Sequence, residues 1–289
     1  MRYYLLLLIA ILFGFGCNLN DNFNEVPMFV QVNSIDLLTE PEQGEATHDI
    51  RDVHVFIDGF SAGVFEVTPE KPAVIPVLAD NATFTLDLFA GVRNSGLVFS
   101  PKLYPFFERN QFELGFAPGT TVQLDLQFEY KDDTLFPIQE DFENSQIYSL
   151  DIDEDQENAL TTTSDPSEVE YGLRCAKYVV DDNPIDFAQA TTLFDTNVFG
   201  ASEVYLEIDY KNEIPFILGY IGFDEFNNFT TDFTIVLSPT STWKKLYLDL
   251  SAHLNGGLYE RFQLLVAGAP DVGQGTILID NAKLVHQAN

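Results

Sequence analysis

Acidic side chains dominate the chemistry that this sequence could perform. The chain carries 45 Asp and Glu against 14 Lys and Arg, which leaves two interpretations open: divalent-cation binding or a solvated acidic surface. Residues 151–155 have the opening spacing of an EF-hand loop. The sixth and twelfth positions hold Gln156 and Thr162, however, in place of the Gly and Glu that the calcium loop needs. A solvated acidic loop is therefore the favoured interpretation of this run.

The sequence lacks a recognisable catalytic constellation. Its four histidines do not have metal-ligand spacing, and they are His48, His54, His253 and His286. No Gly-x-Ser-x-Gly elbow, phosphate loop or dinucleotide fingerprint occurs. With so many carboxylates, some pair will fall at a glycosidase separation by chance. We therefore predict a protein that is not an enzyme, and a small glycoside hydrolase is a remote alternative.

Cys17 points to a different chemistry, the acylation of its thiol. Arg2 precedes an apolar run over residues 5–15, which is too short to cross a bilayer of about 30 Å. Gly16, Cys17 and the polar residues that follow resemble a bacterial lipoprotein signal, although Gly14 and Phe15 depart from its usual pattern. The resemblance implies a signal peptide over residues 1–16 and a lipidated tether over residues 17–27. A secreted protein with an incidental Cys17 is the alternative.

The net charge of −31 limits the partners that the chain can have. Such a field repels phosphate backbones and anionic headgroups, so nucleic acid is excluded and acyl chains become the expected membrane contact. If Cys17 is lipidated, Cys175 has no disulfide partner within the chain. The neighbours of Cys175 predict a small buried hydrophobic residue rather than a reactive thiol.

The elements that must position these residues are strands. Residues 121–130 alternate polar and apolar side chains, and residues 53–57 lead through Asp58 and Gly59 into a second run, as in a hairpin. The sequence therefore predicts an all-β chain of two β-sandwich domains. An immunoglobulin-like sandwich spans residues 28–131 and a jelly-roll sandwich spans residues 140–289. Between them, residues 132–139 lose the alternation and contain Pro137, which predicts a linker.

Three segments of the second domain resemble the galactose-binding-like jelly rolls of carbohydrate-binding modules. They are the acidic-Phe-acidic run at residues 140–143, residues 243–251, and residues 277–284 with their Ile-Asp-Asn sequence. With Asp58-Gly59, Pro118-Gly119 and Tyr130 of the first domain, the chain resembles a family of Bacteroidota outer-membrane lipoproteins. These pair an immunoglobulin-like or PEGA-like domain with such a jelly roll. The resemblance implies an envelope location and a non-catalytic role.

The same resemblance implies two modification or metal sites. Similar jelly rolls often hold a structural calcium between the first and last strands, which would place Glu143 and Asp280 at the ion. The alternative is that Asp280 caps a turn or pairs with Lys283. Asp133-Thr134-Leu135 matches a short O-glycosylation pattern of secreted proteins resembling this family, so Thr134 is the expected acceptor.

Binding is the function that these observations favour. Phe226 and Phe229 lie in an apolar loop and are the expected binding residues, whereas Trp243 is expected in the core. The primary hypothesis is a lipid-anchored outer-membrane protein, exposed at the cell surface, that serves as an interaction subunit of an outer-membrane protein complex. The alternative is a glycan-binding accessory lipoprotein for polysaccharide capture.

Overall fold

The computed structural model describes residues 26–95, 101–144, 149–151, 160–180, 188–193, 198, 201–254, 259–268 and 273–287. Its strands are β1 (Met28–Leu38), β2 (Asp52–Ile57), β3 (Phe60–Glu66), β4 (Ala73–Val77), β5 (Thr83–Val92), β6 (Lys102–Leu103), β7 (Asn110–Gly115), β8 (Thr121–Glu129), β9 (Thr134–Glu140), β10 (Ser149–Asp151), β11 (Thr161–Thr163), β12 (Cys175–Val180), β13 (Ala188–Leu193), β14 (Val204–Asn212), β15 (Phe216–Phe223), β16 (Phe229–Leu237), β17 (Thr240–Asp249), β18 (Arg261–Gly268) and β19 (Gly275–Gln287). A 3-10 turn, Pro41–Gln43, and a short helix α1, Ser251–Leu254, complete the described elements. The predicted all-β fold class is confirmed. No helix in these ranges has the length and apolar character needed to cross a membrane.

The first sandwich holds β1–β8 in two sheets. One sheet has the order β4-β1-β8, in which β1 and β8 run parallel. The other has the order β3-β2-β5, and β5 pairs on its far side with β6 and β7. The β2–β3 hairpin turns at Asp58 and Gly59, whose φ angles of 48° and 80° lie in the left-handed region that a tight hairpin turn requires. The predicted hairpin is therefore present.

The core of the first sandwich follows the alternation of its strands. Inward positions are aliphatic or aromatic and fully buried, and they include Val30, Val32, Val53, Val55, Ile75, Leu86, Leu88, Leu126 and Phe128. Alternate positions along β8 stay exposed, because successive side chains of a strand point to opposite faces. The strand predicted over residues 121–130 from this period of two is therefore confirmed as β8.

The second sandwich also consists of two sheets. One has the order β10-β13-β18-β15-β16, with β16 at its edge. The other has the order β11-β12-β19-β14-β17. Leu206, Ile208, Phe216, Phe262 and Ile279 belong to the apolar cluster between these sheets.

The predicted linker is wrong over most of its length. Residues 134–139 lie within β9, which pairs antiparallel with β19 and so belongs to the second sandwich. Pro137 does not break this pairing, because the register between β9 and β19 shifts at that point: Ile138 lies opposite Leu284, and Leu135 lies opposite His286. Proline, which has no N–H to donate, is accommodated at such an irregularity. The segment between β8 and β9 is therefore short.

The sheet that contains β14, β17 and β19 is buried on both faces. Leu206 and Ile208 of β14 face the core of the second sandwich. On the opposite face, Tyr205, Tyr247 and Val285 pack into the core cluster of the first sandwich. The two sandwiches therefore share a packed interior and are not separate bodies on a flexible linker.

Glu207 lies at the centre of a buried polar cluster between the sandwiches. Its carboxylate accepts a hydrogen bond of 2.5 Å from Tyr104 Oη and bonds of 2.9 Å to both of its oxygens from Tyr130 Oη. Burial raises the pKa of both tyrosine hydroxyls well above their usual value, so both stay protonated donors. Without these donors, a fully buried carboxylate would cost several kcal/mol.

Two lysines balance the charge of this cluster. Lys245 Nζ lies 3.8 Å from Glu207 Oε2 and 3.6 Å from Asp209 Oδ2. Lys283 is also buried, and its Nζ lies 5.6 Å from the centre of the Tyr130 ring. Burial lowers the pKa of Lys283 to about 8, against the opposing attraction of Glu207. Two acidic side chains, Glu207 and Asp209, thus share the cluster with two basic side chains, Lys245 and Lys283.

A segment of the first sandwich, residues 44–51, covers the cluster. Thr47 Oγ1 accepts from Lys245 Nζ at 2.9 Å, and the Glu45 carbonyl accepts from Lys283 Nζ at 2.7 Å. The Asp49 N–H donates to Tyr247 Oη at 3.3 Å. Each contact joins a side chain of the second sandwich to the first, so the cluster fixes how the two sandwiches lie against each other.

We predict that Glu207→Gln destabilises the protein by about 3 kcal/mol, because it removes the buried charge that Lys245 faces while leaving the lysine buried. The free energy of unfolding, measured in urea, checks this value. We also expect one calorimetric transition for the wild type and two separate transitions for Glu207→Gln, because the sandwiches uncouple in the variant.

Glu129→Gln serves as the matched control, since Glu129 is an exposed carboxylate of β8. It should change the free energy of unfolding by less than about 0.5 kcal/mol. Equal effects of the two substitutions would contradict the role assigned to the cluster.

Candidate functional site

The outward face of the β10-β13-β18-β15-β16 sheet exposes aromatic rings at its β16 edge. Phe223 lies opposite Phe229, and Gly219 lies opposite Phe233, so these residues share one face. Phe229 and Phe233 are 68% and 61% exposed. The ring centres of Phe223 and Phe229 are 6.3 Å apart. We name Phe223, Phe229 and Phe233 the aromatic ridge.

Polar groups flank the aromatic ridge on the neighbouring strands. The Arg261 guanidinium carbon lies 3.8 Å from the centre of the Phe223 ring, a cation–π arrangement that holds the ring in place. Thr231 lies between Phe229 and Phe233 on the same face. Further along this face Ile221, Leu265 and Ala267 are buried. The accessible aromatic side chains of this face therefore lie at the β16 edge of the sheet.

The turn between β15 and β16 presents Phe226 to solvent. Asp224 Oδ1 accepts from the backbone N–H groups of Phe226 and Asn228 at 2.9 and 2.8 Å, and Asp224 Oδ2 accepts from Asn228 Nδ2 at 2.9 Å. Asn227 has a φ of 63° and completes the turn. Phe226 is 77% exposed at the tip of this braced turn. Both predicted binding residues, Phe226 and Phe229, thus lie at one end of the aromatic ridge.

A second concavity, which we name the inter-sandwich cleft, lies between the two domains. Its volume is about 370 Å³, and residues of both sandwiches line it: His48, Asp49, Arg51, Arg93, Tyr171, Asp209, Tyr210, Trp243, Lys244, Lys245, Leu246 and Tyr247. Trp243, which the sequence placed in the core, is half-buried here. Its Nε1 donates to the Glu168 carbonyl at 3.1 Å, which fixes the indole ring.

Asp280 is a buried carboxylate with an unsatisfied oxygen. Its Oδ1 accepts from the Asn281 N–H at 2.8 Å, whereas its Oδ2 has no hydrogen-bond partner among the residues that the structure describes. Burial raises the pKa of Asp280 to about 8, and the nearby carboxylates of Asp209, Glu143 and Asp141 shift it in the same direction. Two states satisfy such a group: a protonated carboxyl, or a carboxylate bound to a cation.

Glu143, the other predicted calcium ligand, is already engaged by the backbone. Its Oε1 accepts from the N–H groups of Leu173 and Arg174 at 2.6 and 3.1 Å. Gly172 has a φ of 62°, and a Cβ there would overlap Glu143 Oε1. Within the described ranges, no three His, Cys, Asp or Glu side chains converge to hold a metal. Calcium takes six to eight oxygen ligands, so Asp280 alone does not form such a site, and calcium binding at Glu143 and Asp280 stays a prediction.

The predicted glycosylation at Thr134 does not agree with the structure. Thr134 is the first residue of β9 and is only 8% exposed. Its Oγ1 donates a hydrogen bond of 3.5 Å to the carbonyl oxygen of Phe106. The prediction assumed an exposed linker, and the strand pairing removes that exposure. A sugar on this hydroxyl would have to displace the contact with Phe106.

The structure describes one of the two cysteines, Cys175. Cys17 lies outside the described residues, so its lipidation stays a prediction. Cys175 is a free, buried thiol, and burial raises its pKa to about 12. A thiol with so high a pKa is not a nucleophile at neutral pH. This agrees with the expectation of a small buried hydrophobic residue.

Sequence reasoning missed Phe223, Phe233 and Arg261 as members of the candidate site. The signal was present in the period of two, since Phe229, Thr231 and Phe233 are spaced two apart within β16. The sequence analysis placed Phe229 in an apolar loop, so the shared face was not recognised. The lining of the inter-sandwich cleft has no comparable signal, because it comes from distant segments.

Comparison with solved structures gives similarities at low identity. The C-terminal family 22 carbohydrate-binding module of Clostridium thermocellum Xyn10B is 11% identical, with 53% of this chain and 95% of that chain covered and a TM-score of 0.38. The family 30 module of the C. thermocellum cellulase Cel9D-Cel44B is 14% identical, with 52% and 96% covered and a TM-score of 0.39. The K3 adhesin domain of Lys-gingipain from Porphyromonas gingivalis is 14% identical, with 53% and 98% covered and a TM-score of 0.36.

No family model matches the chain, and no curated protein matches it. Identities this low, with TM-scores below 0.5, do not establish a ligand or partner for this chain. The residues of the aromatic ridge, the inter-sandwich cleft and the Asp280 site must carry the functional argument themselves.

We predict that Asp280→Asn raises the melting temperature at pH 8 in the absence of metal. An aspartate ionises at about pH 3.9 in an unfolded chain, whereas the pKa of Asp280 is raised to about 8 by burial. The folded state therefore holds the extra proton, and stability from this group falls as pH rises from about 4 to about 8. Asparagine removes that dependence, which melting curves between pH 4 and 9 measure.

Bound calcium would reverse the expected effect of Asp280→Asn on the melting temperature. If a calcium ion binds Asp280, EDTA lowers the melting temperature of the wild type, excess calcium restores it, and Asp280→Asn loses the response. Asp80→Asn, at an exposed position of the first sandwich, is the control and should follow the wild type in every condition. Identical pH profiles for the wild type and Asp280→Asn would contradict the buried-proton account.

Proposed function

We propose that this protein is a non-catalytic glycan-binding protein, and that the aromatic ridge is its binding surface. The observation that carries the proposal is the exposure of Phe229 and Phe233 on one face of β16, beside Phe223 under Arg261. Exposed rings in a row offer flat apolar surfaces to the C–H faces of pyranose rings. The neighbouring Thr231 and Arg261 can exchange hydrogen bonds with sugar hydroxyls.

The layout of the aromatic ridge favours a chain of sugars over a single sugar. Phe229 and Phe233 are four residues apart on one strand, which corresponds to roughly 13 Å at the rise of a β-strand. The face is open along the sheet edge, so an elongated ligand can extend past Phe226. This geometry supports the capture of a polysaccharide.

Protein docking is the second candidate, and the edge position of β16 favours it. The edge strand exposes the apolar side chains of Phe229, Phe233 and Val236. An exposed apolar strand at a sheet edge is also a surface on which another protein can pair or pack. In this second proposal the chain is an interaction subunit of an outer-membrane protein complex.

Either function is proposed to operate at the cell envelope. The apolar run over residues 5–15, followed by Cys17, supports a lipid anchor in the outer membrane with the sandwiches exposed at the cell surface. The charge of −31 supports acyl chains rather than the protein surface as the membrane contact.

We predict that Phe229→Ala and Phe233→Ala each weaken retention on immobilised plant or bacterial polysaccharides by about tenfold, because each removes one stacking surface. Affinity electrophoresis against a panel of neutral and acidic polysaccharides measures the effect. Phe60→Ala is the matched control, since Phe60 is 79% exposed in the first sandwich, and it should leave retention unchanged.

The same variants distinguish the two candidate functions. If the wild type is retained on none of the polysaccharides, glycan binding is refuted. A membrane protein that cross-links reproducibly to the wild type and is lost in Phe233→Ala would then support docking. Neither sugar retention nor a cross-linked partner would refute both uses of the aromatic ridge.

For the anchor, we predict that Cys17→Ser moves the protein from the membrane fraction of cells to the soluble fraction, because the substituted chain has no thiol to acylate at that position. Intact mass spectrometry of the wild-type product should show acyl chains on its amino-terminal residue. An unmodified amino terminus in the released wild-type protein would contradict the lipoprotein assignment.

A further inference from the structure

Four parts of the chain meet at one end of the first sandwich. The chain enters β1 there, beside the last residue of β4. The β4–β5 and β7–β8 turns lie side by side, since the Phe116 N–H donates to the Ala82 carbonyl at 2.9 Å. The tip of the β2–β3 hairpin joins them, because the Asp58 N–H donates to the Thr85 carbonyl at 2.9 Å. We name this the entry end, and it comprises residues 26–27, 58–60, 78–82 and 116–120.

Large apolar side chains are exposed at the entry end. Phe60, at the hairpin tip, is 79% exposed, and Val26 and Leu78 are each 54% exposed. Phe60 and Leu78 line the same shallow concavity, so they form one surface. Turns are usually built from small or polar residues. An exposed apolar surface in their place marks a contact with a protein or a membrane.

This apolar surface continues along β4, an edge strand of its sheet. Val74 and Pro76 are exposed, whereas the residues that alternate with them are buried. Because alternate residues of a strand share a face, Val74, Pro76 and Leu78 form a row that ends at the entry end. The surface is therefore larger than one exposed side chain.

The entry end carries little charge for so acidic a protein. Asp58 and Asp80 are its only charged residues, in a chain with a net charge of −31. Asp58 Oδ1 also accepts from the Thr85 N–H at 2.8 Å, which braces the hairpin tip. A surface without cations does not attract anionic headgroups. Its apolar side chains instead match the boundary between neutral headgroups and acyl chains.

The proposed lipid anchor lies close to this end along the chain. Cys17 precedes Val26 by nine residues, which span at most about 30 Å even when fully extended. An acylated Cys17 would therefore keep the entry end within that distance of the bilayer. The second sandwich follows from the opposite end, because β8 starts at the entry end and runs away from it towards β9.

We propose that the entry end inserts Phe60, Leu78 and Val26 into the boundary between neutral headgroups and acyl chains. This inference rests on the lipid anchor proposed above. The acyl chains hold the protein at the membrane, and the inserted side chains set the direction in which the sandwiches stand. In that orientation the second sandwich, which carries the aromatic ridge, lies on the side away from the bilayer.

Nitroxide labels on the full acylated chain, reconstituted in phosphatidylcholine vesicles, test the proposal by electron paramagnetic resonance. A label on Phe60→Cys or Leu78→Cys should collide often with dissolved oxygen and rarely with a water-soluble nickel complex. We expect a depth of roughly 5–10 Å, as for other apolar side chains at this boundary. Cys175 does not compete for the label, because it is buried and its pKa is raised to about 12.

Phe226→Cys is the matched control. Phe226 is 77% exposed at a hairpin turn of the second sandwich, close to the exposure of Phe60 in the first. Its label should meet the nickel complex freely.

A charge placed at the entry end should reverse the insertion. Leu78→Asp, made in the labelled Phe60→Cys protein, should lower the inserted fraction about tenfold or more, because it removes an apolar side chain and adds a carboxylate. Phe226→Asp in the same protein should leave that fraction unchanged. Unaltered melting temperatures establish that both variants are folded.

Three results would overturn the proposal. An acylated protein whose Phe60 and Leu78 labels meet the nickel complex as freely as the Phe226 label would refute insertion and leave the anchor intact. Labels shielded from both oxygen and nickel would assign the entry end to a contact with a second copy of the chain. A mature protein without acyl chains would refute the anchor and this inference together.

Discussion

The hydrogen bonds that Glu207 accepts from Tyr104 and Tyr130 are the interaction on which the arrangement of the two sandwiches depends. A carboxylate with no access to water is stable only where donors and counter-charges surround it, and here they come from both domains. The contact of Lys245 with Asp209 extends the same requirement along β14. Any relative displacement of the sandwiches would leave at least one buried charge unsatisfied, so a single relative arrangement is strongly preferred.

This constraint also decides which surfaces of the second sandwich are free to bind. The outer face of the β14, β17 and β19 sheet packs against the first sandwich through Tyr205, Tyr247 and Val285. What stays accessible is the opposite sheet, with the aromatic ridge at its edge, and the inter-sandwich cleft beside the buried cluster. The two candidate sites therefore have different origins. One comes from the alternation within a single strand, and the other exists because two domains meet.

That difference explains how much could be predicted from the sequence. The alternation of residues 121–130 and the Asp58-Gly59 turn identified β8 and the β2–β3 hairpin, because both are local patterns. Pro137 led to the wrong prediction of a linker in place of β9. The register shift that accommodates this proline depends on the partner strand, β19, and cannot be recognised from the local sequence. Phe226 and Phe229 were found as exposed aromatic residues, but the cleft around Arg51 and the polar cluster around Glu207 join residues more than 100 positions apart, and no local pattern encodes them.

The parallel pairing of β1 with β8 has a mechanical consequence. The chain enters the first sandwich at the start of β1 and leaves it at the end of β8, and in a parallel pair these two points lie at opposite ends of the ladder. Tension between residue 26 and the second sandwich therefore loads β1 and β8 in shear. All of their inter-strand bonds then resist together rather than opening one after another.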